Sequence, residues 1–269
     1  DKRKLEQLPP VLVGPTPVLE VAAGEGGNRI DLRSHFKDPN GDEFRFTDWK
    51  RGGGDAQGVT WSPVGDQQVV ISASADTQAR PGATLNLTGT VMDVHTNTRP
   101  VTMIIRVVPS TRPRPKAVAD SIPDAAAGRP SSVAVLANDV SYLLKDKKLT
   151  LVSARALGAG RAEKNGDNVV VTPNAGFVGE LRVEYTIQDA TNDPGRQSTG
   201  YISVTVRDKP GPPGVPVEQK SGDGYVTLRW TDGAANGMPI TGRRLVVSRA
   251  EGGAKTGQST TCDTNTCTI

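Results

Sequence analysis

Apolar and polar residues alternate along most of this 269-residue chain. The pattern is plainest in TLNLTGTVMD (Thr84 to Asp93), and it recurs in RIDLRSHF (Arg29 to Phe36), EFRFTDW (Glu43 to Trp49) and QQVVISAS (Gln67 to Ser74). A period of two marks a half-buried antiparallel strand, because successive side chains leave opposite faces of a sheet. Asn165-Gly166 stands just before Val169, Val170 and Val171, which predicts a hairpin. No window carries a helical period with caps, and KLEQL near the start is stopped by Pro9 and Pro10.

The strands fall into a repeat. LTGTVMDVHTNTRPVTMIIRVVPS (residues 87–110) and VEYTIQDATNDPGRQSTGYISVTVRDKP (183–210) have one layout. An alternating strand stops at an aspartate, a polar loop follows, and a second strand leads to a proline-rich exit. The two aspartates, Asp93 and Asp189, stand 96 positions apart. Upstream, IDLRSHFKDPNGDEFRFTDW lies beside VAVLANDVSYLLKDKKLTLVSA. A repeat of about 100 residues made of strands and turns predicts stacked β-sandwiches. The expected division is a linker over 1–9, sandwiches over 10–110 and 111–209, and a third unit over 210–269.

Composition agrees with strands and turns. There are 30 glycines and 20 prolines, and aromatic residues make up 4%. No apolar run approaches the length of a membrane helix, so no membrane insertion is expected. The net charge of +3 is too small to argue for nucleic acid. A basic stretch, RVVPSTRPRPK, reads first as a stiff proline linker that holds the first two units apart. The chain opens DKRKLEQLPP, with no Met and no signal-peptide core, and reads as a piece of a longer protein.

Two cysteines, Cys262 and Cys267, lie in TTCDTNTCTI. A hairpin with the two facing each other would join them as a disulfide in an oxidising setting. The other reading is half of a metal site, for which no second pair stands nearby.

Three family resemblances follow from quoted stretches. DPNGDEFRF in the first unit, with VAVLANDV and VVVTPNAGFVGELRVEYTIQDA in the second, resembles bacterial cadherin-like and immunoglobulin-like repeats of surface proteins. The third unit, GYVTLRWTDGAANGMPITGRRLVVS, resembles a fibronectin type III domain, with Arg243 where that family commonly has Tyr. The resemblance covers about two-thirds of such a domain and stops before its last two strands. Together these imply an all-β chain of tandem Ig-like/cadherin-like β-sandwiches plus a partial fibronectin type III sandwich, as in actinobacterial cell-surface arrays. The implied setting is extracellular, attached to the cell surface through an anchor elsewhere. The implied role is adhesion or reception of a host or neighbouring-cell protein, with matrix proteins and cytokines as candidate ligands. A plain stalk and a spacer in a secreted polysaccharide hydrolase are the alternatives.

One stretch raises a question of chemistry. DPNGD packs Asp38, Asn40 and Asp42 around Gly41. It is not an EF-hand, since the twelfth residue from Asp38 is Trp49. Pro39, Gly41 and the Asx side chains explain a sharp turn on their own. The cadherin-like resemblance implies a second use, in which Asp93 faces this turn and Asp38, Asn40, Asp42 and Asp93 hold calcium. The matching turn of the second unit carries Lys145, Lys147 and Lys148, which disfavour a cation there. No other cofactor is expected.

Catalysis finds little support. His35 and His95 flank the aspartates and read as loop residues. No nucleophile elbow and no assignable carboxylate pair is present. Glu184 is considered as the helper of a Lys–Asn bond in a sandwich core, against a solvent-facing Glu. KRGGGD (50–55) reads as a flexible loop, and Trp61 as a core or edge aromatic.

Overall fold

The computed structural model describes residues 6–74, 79–247 and 258–269. Residues 1–5 of the expected lead-in, and 248–257 of the third unit, lie outside the described residues. Among the described residues all the regular structure is strand, apart from three short 3-10 turns.

The first unit holds β1 (Val11–Leu12), β2 (Val18–Ala22), β3 (Asn28–Asp31), β4 (Phe36–Lys37), β5 (Phe44–Gly54), β6 (Val59–Val64), β7 (Gln68–Ala73), β8 (Thr84–Asp93) and β9 (Thr98–Val108). One sheet runs β2-β9-β8-β5 and the facing sheet β3-β7-β6, with β1 and β4 paired beside them. The second unit holds β10 (Asp120–Ala126), β11 (Ser131–Val133), β12 (Leu149–Ala156), β13 (Gly160–Asn165), β14 (Asn168–Pro173), β15 (Gly179–Asp189) and β16 (Ser198–Arg207). Its sheets run β10-β16-β15-β12 and β11-β14-β13. This is the first unit's order strand for strand. In both, the first strand pairs parallel with the last, β2 with β9 and β10 with β16.

Alternation builds the cores. Leu85, Leu87 and Val91 on β8, with Met103, Ile105 and Val107 on β9, fill the first. Leu181, Val183, Tyr185 and Ile187 on β15, with Ile202, Val204 and Val206 on β16, fill the second. Trp61 packs against the first core, and Glu184 lies on the opposite parity from the second core's inward row, paired outward with Arg155 at 2.8 Å.

Two stretches depart from expectation. RIDLRSHF is not one strand: a 3-10 turn over Arg33–His35 separates β3 from β4. The Asp31 carboxylate starts that turn by accepting from the Arg33 backbone N–H at 3.0 Å. KRGGG is not a free loop but the end of β5, which pairs with β8 through two register shifts. A side chain at Gly54 would put its Cβ 2.3 Å from the Thr84 carbonyl, and its φ of +129° suits only glycine.

The third unit holds β17 (Val217–Gly222), β18 (Tyr225–Arg229), β19 (Arg243–Val247), β20 (Gln258–Cys262) and β21 (Thr266–Thr268). They form a β17-β18-β21 sheet and a β19-β20 pair. Leu245 and Cys262 are its buried apolar side chains among the described residues. Cys262 and Cys267 are bonded, with Cα atoms 5.6 Å apart. The bond therefore ties a strand of one sheet to a strand of the other. Arg243 forms an ion pair with Asp232.

Candidate cation site at the end of the first sandwich

Strand parity explains why charge is buried here. Asp93 continues the inward row Leu85, Leu87, Gly89, Val91 of β8, and Asp189 continues the inward row of β15. Each reaches the rim of its core, at 4% and 1% exposure. A buried carboxylate needs hydrogen bonds and a countercharge.

Around Asp93 the donors are neutral. Its Oδ1 accepts from the backbone N–H groups of His95 and Asn97, both at 2.8 Å, and its Oδ2 from the Asn97 amide at 2.7 Å. Burial alone would raise this carboxyl's pKa; the bonds from Asn97 and His95 outweigh burial and leave it below the ordinary range.

The DPNGD turn delivers two more carboxylates. Asp38 Oδ1 accepts from the backbone N–H of Asn40 at 2.8 Å and of Asp42 at 3.1 Å, closing an Asx turn. Gly41, at φ +81°, supplies the left-handed step. Asp38 is 3% exposed, and its second oxygen, Oδ2, has no hydrogen-bond partner. Asp42 Oδ2 also lacks one, with His95 Nε2 standing 3.5 Å away.

One oxygen each from Asp38, Asp42 and Asp93 lies within 4.8 Å of the other two. Oxygens bound to calcium sit at roughly 2.3–2.6 Å, so two across one ion are up to about 5 Å apart. The three carboxylates can therefore share one ion without moving far. Asn40, expected as a fourth ligand, is turned elsewhere: its Oδ1 accepts from the Leu8 N–H at 2.9 Å and its Nδ2 donates to the Glu6 carbonyl at 3.1 Å. His35 is not grouped with the carboxylates; its carbonyl accepts from the Val13 N–H. A groove of about 550 Å³ opens at the same end, lined by Phe44, Arg45, Met92 and Val94 as well as Asp93.

At the matching end of the second sandwich the arrangement differs. Asp189 Oδ2 accepts from Arg196 Nε at 2.8 Å. A second pair of carboxyls, Asp120 and Asp139, is half-buried beside the Tyr185 hydroxyl. The Tyr185 hydroxyl reaches Asp139 Oδ1 at 3.2 Å and donates to the Val118 carbonyl at 2.7 Å. Burial pushes both carboxyls above the ordinary range, and the Asp120 charge pushes Asp139 further. Arg196, Asp120 and Tyr185 were not singled out by the sequence. The one signal it held was parity, which puts Tyr185 and Asp189 on the inward face.

Comparison with known proteins adds the following. Residues 113–208 match the family model described as a bacterial Ig domain. No curated protein sequence matches the chain. Among solved structures, a stretch of titin domains is 12% identical, covers 97% of this chain and 88% of its own, with a TM-score of 0.39. Drosophila N-cadherin is 16% identical over 76% of this chain and 50% of its own, with a TM-score of 0.38. An endo-fucoidan hydrolase of glycoside hydrolase family 107 is 16% identical over 78% of this chain, with a TM-score of 0.34. This chain spans 30% of that hydrolase's length. Likenesses this distant carry no functional argument. The chain is all-β, built of successive packed sheets, and its second sandwich matches the bacterial Ig domain over residues 113–208.

Proposed function

We propose that this chain is an extracellular, non-catalytic segment of a bacterial surface protein, and that its sandwiches recognise a protein ligand. Calcium held by Asp38, Asp42 and Asp93 orders the recognition end of the first sandwich. The observation that carries this reading is that Asp38, whose buried Oδ2 has no hydrogen-bond partner, stands in one cluster with the carboxylates of Asp42 and Asp93. Three like charges in one rim, two of them buried and the third half-buried, are unfavourable without a cation, and hard oxygens select calcium or magnesium. The groove beside them gives a ligand a concave surface at the same end. Loops at the end of a rigid sandwich are where recognition residues gather.

The ligand class is a host or neighbouring-cell protein, with matrix proteins and cytokines as the first candidates. The units are taken as 10–110, 111–209 and a fibronectin type III-like 210–269. The test is binding of the whole chain to an immobilised panel of matrix proteins, serum proteins and cytokines, in calcium and then in chelator. Saturable binding to one protein, lost in chelator and in Asp38→Asn, is the expected result. Absence of binding to every member would favour a second reading, a stalk that spaces a distal domain. The close packing of the first two sandwiches supports that alternative.

A further inference from the structure

The seam between the first two sandwiches is organised around one buried cation. Arg196 is 6% exposed and sits in a short 3-10 turn after β15. Its Nε donates to Asp189 Oδ2 at 2.8 Å. Its Nη1 donates to the carbonyls of Ser110 at 3.3 Å and Arg112 at 2.7 Å, and its Nη2 to the carbonyl of Pro113 at 2.8 Å. One carboxylate oxygen and three carbonyls thus converge on the guanidinium. That is an oxygen shell of the kind a hard divalent ion takes, filled here by a covalently attached charge.

The linker's other polar groups face the first sandwich. Glu25 accepts from Ser110 Oγ and from the backbone N–H groups of Thr111 and Arg112. Donors of the linker go to one sandwich and its carbonyls to the other. Packing closes the seam alongside. Leu143, from the second unit, is 1% exposed within the core of the first. The N–H groups of Leu144 and Lys145 both donate to the Gly24 carbonyl at 3.0 Å. The segment Ser110–Pro113 is therefore clamped on both sides and does not act as a spacer.

We propose that Arg196 is a built-in cation that locks the first two sandwiches into one rigid body, so that this joint needs no metal. Removing the guanidinium would leave Asp189 buried without a countercharge and three carbonyls without donors. The proposal stands whether or not calcium binds at Asp38, because that site lies at the other end of the first sandwich.

The test measures the distance between the two sandwiches in the full chain. Spin labels on Ser62→Cys and Lys164→Cys, both at exposed positions, report it by pulsed dipolar spectroscopy. The chain's own two cysteines are bonded to each other and do not compete for label. The expected result is a single narrow distance distribution, identical in calcium and in chelator, with loss of the narrow peak in Arg196→Gln. A broad distribution in the parent protein, one that narrows only with calcium, or an unchanged peak in Arg196→Gln would overturn the proposal. Should Arg196→Gln fail to fold, Glu25→Ala loosens the same linker from the other side without touching a core. Widening there supports the lock, and no change sinks it.

Discussion

Asp93 and Asp189 hold the same place in successive repeats, and single atoms decide how differently they behave. Asp189 meets a guanidinium, whereas Asp93 meets two more carboxylates and a set of neutral donors. Calcium at a hundredfold excess over its Kd should stabilise the first sandwich by about 2.7 kcal/mol. Asp38→Asn should abolish that gain in a thermal scan. In chelator the same variant should be no less stable than the parent, because an amide oxygen can still accept from Asn40 and Asp42 while one repelling charge is gone. The Asp120–Asp139 pair gives a pH prediction. The folded state raises both pKa values, so it binds protons more tightly than the unfolded chain. That stabilisation is complete below the ordinary carboxylate value of about 4 and is lost as pH climbs through the raised values. Asp139→Asn should flatten the fall, as read by urea unfolding at a series of pH values. At this scale the sequence showed the acidic turn, since Asp-Pro-Asn-Gly-Asp is turn chemistry whatever surrounds it. It did not show that Asn40 turns away to Glu6 and Leu8, or that Arg196 faces Asp189. Both depend on where separate segments meet.

At the scale of the element, alternation predicted most strands, because each has one face on a core and one in water. The departures lie where a distant partner decides. The glycine run at the end of β5 looks mobile in isolation, yet at Gly54 the backbone of β8 lies so close that only glycine fits. Gly200 is a parallel case: a Cβ there would meet Tyr185 Cζ at 2.3 Å, so Gly200→Ala should displace the ring that fills the second core. Leu143 shows an element of one unit working in another. Leu143→Ala should cost about 2–5 kcal/mol. The loss should appear in the unfolding of the first sandwich, reported by the fluorescence of Trp49 and Trp61, although the residue belongs to the second.

At the scale of the whole molecule, the three units are stabilised by different means. The first two have broad apolar cores. The third, among the described residues, has few buried apolar side chains and a bond between its two sheets. Closing so short a loop contributes about 2 kcal/mol, a large share for a small core. Reduction, or Cys262→Ser with Cys267→Ser, should lower the unfolding midpoint of the third unit while leaving the transitions of the first two in place, as separate steps in calorimetry would show.

The parallel pairing of first and last strands in each of the first two sandwiches has a mechanical consequence. β2 runs beside β9 in matched register from Val18 with Ile104 to Ala22 with Val108, and β10 also lies parallel to β16, with one register shift between Ile122 and Ala125. Tension along the chain pulls these neighbours in opposite directions along their own length. The rungs between them are then loaded together, in shear, and cannot open in succession like a zip. A chain built this way bears a pull between its two ends with the strands that form its cores.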